Sequence, residues 1–369
     1  MQGPSPGQET VEVEERLRFD EGGLRDFLAG RLPGVGPGTA LEVRKFGYGA
    51  SNPTFLVGAG GFRYVLRKKP PGALLKGAHA VEREFRVMRA LQQAGFATPV
   101  MHLLCEDPAV IGTPFYVMSF VEGQIPDNSL SVLPPAQRRP VMLAIVETLA
   151  QLHGYDPVAL GLLGGSEEFG RAGGFYERQI RKLSSVSGSQ VENSRGKVVA
   201  LKSMPELLAL FAAHMPEDRS CVIHGDWKPD NLILGDVAGT PRVLAVVDWE
   251  LSTIGHPMSD LANMCLPYHL GPLGQKITYG TFDLSGDSGV PSEEEVHRAY
   301  CSAAGVPFPI RDWSFFVAFA CFRLAVIIQG VAMRASLGQG SQKGGSAEQG
   351  SQVADFVCDL GLETMRKAW

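Results

Sequence analysis

The chain lacks the features that mark several classes of protein. Its charge is nearly balanced, since 34 Lys and Arg residues stand against 39 Asp and Glu residues and the net charge is −5. Binding to nucleic acid through bulk charge needs a strongly basic face, so no nucleic-acid partner is expected. The six cysteines form no CxxC pair and match no zinc spacing, which predicts reduced, buried thiols in a cytoplasmic protein.

Long hydrophobic runs are also missing. Residues 1–20 are rich in Glu and contain no apolar core, so they predict neither a secretory signal nor a transit peptide. The most apolar stretch is Trp313–Met333, in which Arg323 separates two uncharged runs of ten residues. A membrane-spanning helix needs about 20 mostly apolar residues. The stretch therefore predicts a buried helix, and no membrane partner is expected.

The chain does contain enough apolar sequence for a core of ordinary size. Of its 369 residues, 44% are hydrophobic, and the length corresponds to two domains or two lobes. Residues 1–20 predict a flexible, charged tail. The following segment, to residue 121, contains several strand-like runs and one amphipathic helix at 79–93. The remainder predicts helices around a compact β section at 221–247, so the fold class is α+β.

The sharpest feature is the sequence HGDWKPDN at residues 224–231, which lies between two short apolar strands. Asp226 precedes Asn231 by five residues, the spacing at which a kinase catalytic loop places its proton-accepting Asp and its metal-binding Asn. Asp248 follows 17 residues after Asn231, at the end of the apolar run Val243–Val247. Oxygen ligands on adjacent strand ends suit Mg²⁺. The alternative interpretation is a β-hairpin with solvated polar turns.

The motif HGDWKPDNLI, followed by VVDWE, resembles the aminoglycoside phosphotransferase and choline kinase family, a branch of the protein-kinase-like fold. The resemblance covers about residues 22–335. The stretches YVLRKKPPG, VEREFRVMRAL, IGTPFYVMSFVEG and DWELSTIGHPMSDLA are most similar to the kinase-like domain that animals fuse to acyl-CoA dehydrogenase domains. The resemblance implies a two-lobed fold, with a β-rich N-lobe at 21–121 and a helical C-lobe at 122–369. It also implies transfer of the ATP γ-phosphate to a small-molecule hydroxyl.

The resemblance implies a role for each polar residue of the motif. Asp226 would orient and deprotonate the acceptor hydroxyl, and Lys228 would reach the γ-phosphate unless it is an ordinary surface lysine. Asn231 and Asp248 would bind Mg²⁺ that bridges the phosphates of ATP. Glu250 is a weaker candidate, for contact with the metal through water.

A glycine-rich connection between two strands predicts a phosphate loop, because small residues let backbone N–H groups approach phosphates. Four of its residues are candidates for nucleotide binding: Gly47, Gly49, Ser51 and Asn52. The alternative is a plain hairpin turn. The resemblance also implies a hinge at residues 118–121, where backbone groups of Ser119 and Val121 would bind adenine.

Arg67 falls where kinases carry the Lys of their third strand, since VLR stands against VAIK. Either cation neutralises phosphate, although Arg is a planar fork and Lys a point charge. Arg67 and the neighbouring Lys68 are therefore both candidates for the phosphate contact. Glu84 on the following helix is the expected partner of this cation, with Glu82 as the alternative.

The acceptor is less well defined than the phosphate donor. The fused relatives phosphorylate 4-hydroxyacyl-CoA, and their dehydrogenase domain then removes the phosphate. The resemblance therefore implies a hydroxyacyl-CoA or related acceptor, with a separate acyl-CoA dehydrogenase as partner. A basic set at Arg171, Arg178, Arg181 and Lys182 either binds CoA phosphates or forms a solvated helix face. The alternatives are an aminoglycoside- or choline-type kinase and, from another class, a nucleotide-binding pseudokinase that acts as an interaction module.

Overall fold

The computed structural model describes residues 8–47, 52–72, 79–165, 169–237, 239–277, 279–338 and 346–368. Within these residues the strands are β1 (Thr10–Val11), β2 (Glu42–Phe46), β3 (Thr54–Ala59), β4 (Phe62–Lys68), β5 (Met101–Cys105), β6 (Phe115–Ser119), β7 (Cys221–Ile223), β8 (Leu232–Val237), β9 (Thr240–Val246) and β10 (Thr253–Gly255). The helices are α1 (Glu21–Leu28), α2 (Val81–Gln93), α3 (Pro108–Ile111), α4 (Pro135–His153), α5 (Phe175–Asn193), α6 (Met204–Ala213), α7 (Met258–His269), α8 (Pro272–Lys276), α9 (Glu293–Ala304), α10 (Trp313–Ser336) and α11 (Ala347–Ala368).

Residue contacts divide the chain into two compact units. Unit 1 contains residues 1–169, 224–252 and 283–291, and unit 2 contains residues 170–223, 253–282 and 292–369. This division falls elsewhere than the lobe boundary predicted at residue 121. The physical reason is the β8–β9 hairpin, whose Leu234 exchanges backbone hydrogen bonds with Gln124 and whose Val246 N–H donates to the Ala97 carbonyl. The catalytic-loop segment therefore belongs to the same unit as the large sheet.

Unit 1 is built on a six-stranded antiparallel sheet in the order β1-β2-β3-β4-β6-β5. Phe55 and Val57 alternate with less buried neighbours along β3, the period-2 pattern of a strand with one face in the core. Leu66 of β4 and Phe115 of β6 are fully buried in the same core. The sheet thus fixes which side chains of β4 and β6 point toward α2.

The described part of the predicted tail is ordered, which corrects that expectation from residue 8 onward. Thr10 pairs with Phe46 and Val11 pairs with Lys45, so the segment adds an edge strand to the sheet. A short 3-10 helix follows at Glu15–Leu17, and Leu17 is buried. The charged composition suggested solvation, but a strand can pair its backbone at a sheet edge while its charged side chains stay in water.

Unit 2 is mainly helical, and its core is built around α10. Phe315, Phe319 and Phe322 of this helix are buried, and aromatic contacts join Phe211 and Tyr176 to them. By length and composition α10 is apolar enough to cross a membrane, but 78% of its most apolar window is buried inside the protein. Such burial is typical of a core helix, the environment predicted for Trp313–Met333.

Helix α5 runs through a Ser-rich stretch and ends at Asn193. Serine has only modest helix propensity, so burial of one helix face in tertiary packing supports this part of α5. Ser187 of this stretch is buried and its hydroxyl donates to Gln329 Oε1 at 2.6 Å.

The buried thiols lead to a prediction about their reactivity. All six cysteines are free and buried, and burial raises the pKa of Cys321 and of Cys358 to about 12. Since the thiolate is the nucleophile, native protein near pH 8 should react with a thiol reagent at least ~100-fold more slowly than unfolded protein. Titration with a chromogenic disulfide reagent, before and after adding guanidinium chloride, measures this. Rapid release of colour from the native protein would contradict the burial of these groups.

Candidate active site

The centre of the candidate site in unit 1 is an ion pair between β4 and α2. Arg67 Nε lies 3.0 Å from Glu84 Oε2, and the two side chains are only 10% and 1% exposed. Glu84 is buried because it lies on the same helical face as Val81, Met88 and Leu91, at spacings of three and four residues. An acidic residue inside an apolar stripe needs a cation opposite it, and the register of β4 places Arg67 there.

Two further donors complete the environment of Glu84. Asn52 Nδ2 donates to Oε1 at 2.7 Å, and the Tyr116 hydroxyl donates to Oε2 at 3.1 Å. Tyr116 lies opposite Arg67 in the β4–β6 register, so both side chains face the same helix. Burial raises the pKa of Glu84 to about 7, although Arg67 and Tyr116 oppose this shift.

Arg67 also connects this pair to the second acidic segment. Its Nη2 donates to Asp248 Oδ1 at 2.6 Å and lies 3.7 Å from Glu250 Oε2. Burial alone lowers the pKa of Arg67, but the charges of Glu84 and Asp248 raise it above its ordinary value. One permanently charged guanidinium therefore faces three carboxylates, an excess of negative charge that a cation can neutralise.

The geometry separates the alternatives that the sequence left open for this pair. Glu82 lies 2.9 Å from Lys69 in a partly exposed pair, away from Arg67. Lys68 is buried, and its ammonium donates to the Lys69 carbonyl at 3.5 Å. Of the two candidate cations, it is therefore Arg67 that contacts Glu84 and Asp248. Arg67 occupies the position at which kinases carry the Lys of their third strand.

The catalytic loop is shaped by a glycine and a histidine. Gly225 has φ of 82°, and a Cβ there would collide with the backbone carbonyl of Leu251, so only glycine fits. His224 is fully buried, with Nε2 2.9 Å from the Val247 carbonyl oxygen and Nδ1 accepting from the Asp226 N–H at 3.2 Å. His224 thus holds the loop against the following strand through these hydrogen bonds.

Three predicted residues of the loop lie together. Asn231 Nδ2 donates to the Asp226 backbone oxygen at 2.9 Å and to its Oδ2 at 3.2 Å. Lys228 Nζ lies 3.4 Å from the same Oδ2. Burial opposes the charge of Lys228, but Asp226 and Asp230 raise its pKa above the ordinary value. Asp226 is therefore held in one orientation beside a fixed positive charge.

Asp248 reaches the site through strand pairing and an unusual backbone conformation. The Val247 N–H donates to the Asn231 carbonyl at 3.0 Å, so Asp248 is one residue beyond the partner of Asn231. Asp248 has φ of 64° and ψ of 59°, a left-handed conformation that costs about 1–3 kcal/mol for a residue other than glycine. The Trp249 indole, donating to the Val246 carbonyl at 2.9 Å, closes this turn.

The oxygen donors of Asn231 and Asp248 suit a hard divalent cation such as Mg²⁺. The amide NH₂ group of Asn231 is used on Asp226, which leaves its amide oxygen for a metal. Asp248 is 31% exposed and contacts Arg67 through Oδ1, which leaves Oδ2 for a metal. The two predicted ligands therefore fit the ion that the sequence implied.

The predicted phosphate loop is only partly within the described residues. Gly49 and Ser51 lie outside them. The Gly47 N–H donates to the Glu9 carbonyl at 3.0 Å. Asn52 is 1% exposed and its amide is used by Glu84, so its side chain supports the ion pair. The roles of Gly47 and Asn52 in nucleotide binding stay predictions.

The predicted hinge is also partly used within the protein. The Ser119 N–H donates to the Val100 carbonyl at 2.9 Å, and the Val121 carbonyl accepts from Gln8 Nε2 at 2.8 Å. Because the Ser119 N–H and the Val121 carbonyl are used in this way, the backbone groups predicted to contact adenine are the Ser119 carbonyl and the Val121 N–H.

Sequence reasoning missed a polar pair that supports the loop from the side. Asn128 Nδ2 donates to Asp230 Oδ2 at 3.1 Å, and the Asp230 N–H donates back to Asn128 Oδ1 at 3.2 Å. Burial raises the pKa of Asp230, against the attraction of Lys228. Asp230 lies inside the motif, so the sequence could have pointed to it. Asn128 lies in an irregular segment without helical or strand periodicity, so no sequence pattern marks it.

The sheet, the buried cation–carboxylate pair and the Asp/Asn loop define a kinase-like phosphotransferase. The phosphotransferase enzyme family matches residues 42–285, and the chain belongs to this family. A candidate aminoglycoside phosphotransferase from Ralstonia eutropha has a similar structure, with a TM-score of 0.77 and 35% identity over 95% of this chain and 99% of its own. Choline kinase from Cryptosporidium parvum shares the fold at a TM-score of 0.57 and 13% identity, over 93% and 95% of the two chains. The predicted family and the kinase-like α+β fold are confirmed.

Longer proteins contain similar sequence. Acyl-CoA dehydrogenase family member 11 of Gallus gallus is 41% identical over 367 residues, which are 97% of this chain and 45% of that protein. Acyl-CoA dehydrogenase family member 10 of Mus musculus is 36% identical over 361 residues, 97% of this chain and 32% of that protein. The chain thus spans less than half the length of these curated relatives.

Proposed function

We propose that the protein transfers the γ-phosphate of Mg-ATP to a hydroxyl group of a small molecule. The observation that carries the proposal is the position of Asp226, fixed by Asn231 and Lys228, next to the strand end that carries Asp248. A pseudokinase, which transfers no phosphate, does not need these side chains to lie together. Arg67, which stands where kinases carry a Lys, still makes the ion pair with the helix glutamate, so this difference from the kinase pattern does not support a pseudokinase.

Asp226 is the group that handles the acceptor proton in this proposal. Its carboxylate is 26% exposed, so an acceptor hydroxyl can reach it. It accepts a hydrogen bond from that hydroxyl, orients the oxygen for in-line attack and takes the proton as the new O–P bond forms. The transition state of phosphoryl transfer is loose, so position contributes more than base strength.

The cations of the site supply the electrostatic part of catalysis. Lys228 lies 3.4 Å from Asp226 and places its charge beside the position of the transferred phosphoryl group. Arg67 anchors Asp248 and holds it in the orientation that a metal ligand needs. When bound to Asn231 and Asp248, Mg²⁺ would neutralise the charge of the ATP phosphate oxygens.

The acceptor that we propose is a hydroxyacyl-CoA or a related hydroxy acid derivative. The support is the similarity over 97% of the chain to proteins named acyl-CoA dehydrogenase family members 10 and 11. Those proteins are more than twice the length of the matched segment, so the proposal includes an acyl-CoA dehydrogenase as a functional partner of the kinase chemistry. Elimination of the phosphate together with a proton from the adjacent carbon would form a C=C bond, so the two steps together would remove one water from the acceptor.

A panel of acceptors tests this proposal. ADP release from Mg-ATP would be measured with 4-hydroxyacyl-CoA, the matching acyl-CoA without the hydroxyl, kanamycin and choline. We expect release with the hydroxyacyl-CoA and none with the unsubstituted acyl-CoA. Faster turnover of kanamycin or choline would contradict the proposed acceptor but would still support the proposed phosphotransfer activity. No ATP turnover with any hydroxyl compound, together with tight ATP binding, would favour the pseudokinase.

The metal role of Asp248 gives a separate prediction. Asp248→Asn removes one anionic ligand, so the Mg²⁺ concentration for half-maximal activity should rise at least ~10-fold. Asp236→Asn serves as the control, because Asp236 lies near the exposed end of β8 in the same hairpin, where its Oδ1 accepts from the Gly239 N–H at 2.6 Å. Initial rates across a magnesium titration measure the effect. An identical titration curve for Asp248→Asn and the wild type would remove Asp248 from the metal site.

A further inference from the structure

A second group of metal-binding side chains lies between α7 and α9 in unit 2, apart from the residues of the candidate active site. Cys265 and His269 are four residues apart on α7, and Glu293 and His297 are four residues apart on α9. Side chains at this spacing project from the same face of a helix. Each helix therefore presents two ligand types toward the other.

Three of the four ligand atoms are already close to one another. The Cys265 sulfur, a Glu293 carboxylate oxygen and a His297 ring nitrogen all lie within 4.8 Å of one another. His269 Nε2 is 2.7 Å from Glu293 Oε1, and His297 Nε2 is 3.9 Å from the same oxygen. Ligand atoms around a tetrahedral zinc ion are about 3.4–3.6 Å apart, from the usual Zn–S and Zn–N lengths. The separations among Cys265, Glu293 and His297 exceed those values by at most about 1.4 Å. His269 Nε2 would have to move from its contact with Glu293 Oε1 to become the fourth ligand.

Burial distinguishes this cluster from an ordinary polar surface. Cys265 is fully buried, and the His297 side chain is only 12% exposed. Within the described part of the chain, the buried His297 Nε2 has no hydrogen-bond partner. Since buried polar atoms are almost always paired, this nitrogen lacks an explanation in a structure without a bound ion.

The surroundings orient the ligands in the manner of a metal site. Trp313 Nε1 donates to Glu293 Oε1 at 3.2 Å, and the His297 ring packs against the Trp313 ring with centroids 4.1 Å apart. Such outer contacts fix the rotamers of ligands in metal sites. The alternative interpretation of the cluster is a simple ion pair between His269 and Glu293. That pair does not explain why Cys265 and His297 Nε2 lie beside it.

We propose that Cys265, His269, Glu293 and His297 bind one zinc ion in a closed, four-ligand structural site that joins α7 to α9. The mixed set of one sulfur, two imidazole nitrogens and a carboxylate suits a borderline-soft ion such as Zn²⁺. Mg²⁺, which prefers oxygen ligands, is unsuited to it, so this site is chemically distinct from the one proposed for catalysis.

Metal content and cobalt spectroscopy test the proposal on the full-length protein. Protein stripped with a chelator, then dialysed against Zn²⁺, should retain about one ion per chain. Replacement by Co²⁺ should produce a thiolate-to-cobalt charge-transfer band. Cys265→Ser and His297→Gln should each lower zinc affinity at least ~100-fold, because each removes a ligand.

Cys321→Ser is the matched control for Cys265→Ser, because Cys321 is also fully buried in a helix of unit 2 but lies outside the cluster. It should retain the zinc and the cobalt band. Zinc binding should also raise the thermal midpoint of the wild type and of Cys321→Ser, but not that of His297→Gln. The proposal is overturned if stripped wild-type protein takes up no more zinc than His297→Gln, or if the cobalt band survives Cys265→Ser.

Discussion

Replacing Asp226 by Asn should lower ATP-dependent phosphotransfer by about 10²–10⁴-fold, the usual contribution of a positioned proton acceptor. The amide has nearly the shape of the carboxylate but cannot accept the hydroxyl proton. Lys228, 3.4 Å from Asp226, remains in place to interact with phosphate, so ATP binding stays nearly unchanged. Rates of ADP release and ATP affinities measured by calorimetry separate the two effects.

Asp26→Asn is the control for this substitution. Asp26 also contacts a neighbouring cation, Arg25 of α1, but its side chain is 68% exposed and lies outside the candidate site. It should leave activity and ATP binding at wild-type levels. Normal turnover by Asp226→Asn would remove Asp226 from the reaction, whereas equal losses of activity and ATP affinity would assign it to nucleotide binding.

Arg67→Met should destabilise unit 1 by about 3–5 kcal/mol, the usual cost of leaving a buried charge without its partner. Glu84, 1% exposed, would lose the cation that lies 3.0 Å away, and Asp248 would lose its 2.6 Å contact. Urea unfolding followed by tryptophan fluorescence measures the loss, because Trp227 and Trp249 are buried in the same unit.

The pH dependence of this loss follows from Glu84. The pKa of Glu84 is already raised to about 7 by burial, and removal of Arg67 raises it further. A carboxyl whose folded pKa lies above its unfolded value is most favourable to folding below the unfolded pKa, and that contribution disappears as pH rises through the folded pKa. The deficit of Arg67→Met should therefore be smaller near about pH 5 than near about pH 8.

Lys69→Met is the matched control, because Lys69 and Glu82 form a pair whose side chains are 21% and 40% exposed. Its loss should be about 0–1 kcal/mol, as for other partly exposed pairs. Arg67→Lys should recover part of the stability, since it restores the charge without the fork that reaches both carboxylates. Equal destabilisation by Arg67→Met and Lys69→Met would contradict the network described at the centre of the site.

The choice between Glu82 and Glu84 as the partner of Arg67 shows what sequence spacing cannot predict. Both glutamates follow the same strand, and both were candidates for the contact with Arg67. The helical face of Val81, Met88 and Leu91 includes Glu84, and the structure buries that face. Assigning the partner needed the position of α2 over the sheet, because helical spacing says which residues share a face but not what lies opposite.

Residues 1–20 and the predicted phosphate loop likewise make contacts that the local sequence does not predict. Charged composition suggested a flexible segment at residues 1–20, yet Thr10 and Val11 pair with β2 because a sheet edge was available to them. Asn52 lies in a polar connection, but its amide is buried against Glu84 from α2, more than 30 residues away in sequence. Neither contact can be read from neighbouring residues, since both depend on elements that meet only in the folded chain.

By itself, the sequence determined the family and the kinase-like fold class, and it predicted the residues of the candidate catalytic loop. The motif at 224–231 is contiguous, and Asp248 ends the next strand of the same hairpin, so spacing along the chain was enough. Only the tertiary structure decided that Arg67 pairs with Glu84 and Asp248, and that Cys265 and His269 face Glu293 and His297. The physical reason is that these groups are far apart in sequence, and packing of their elements sets the distances between them.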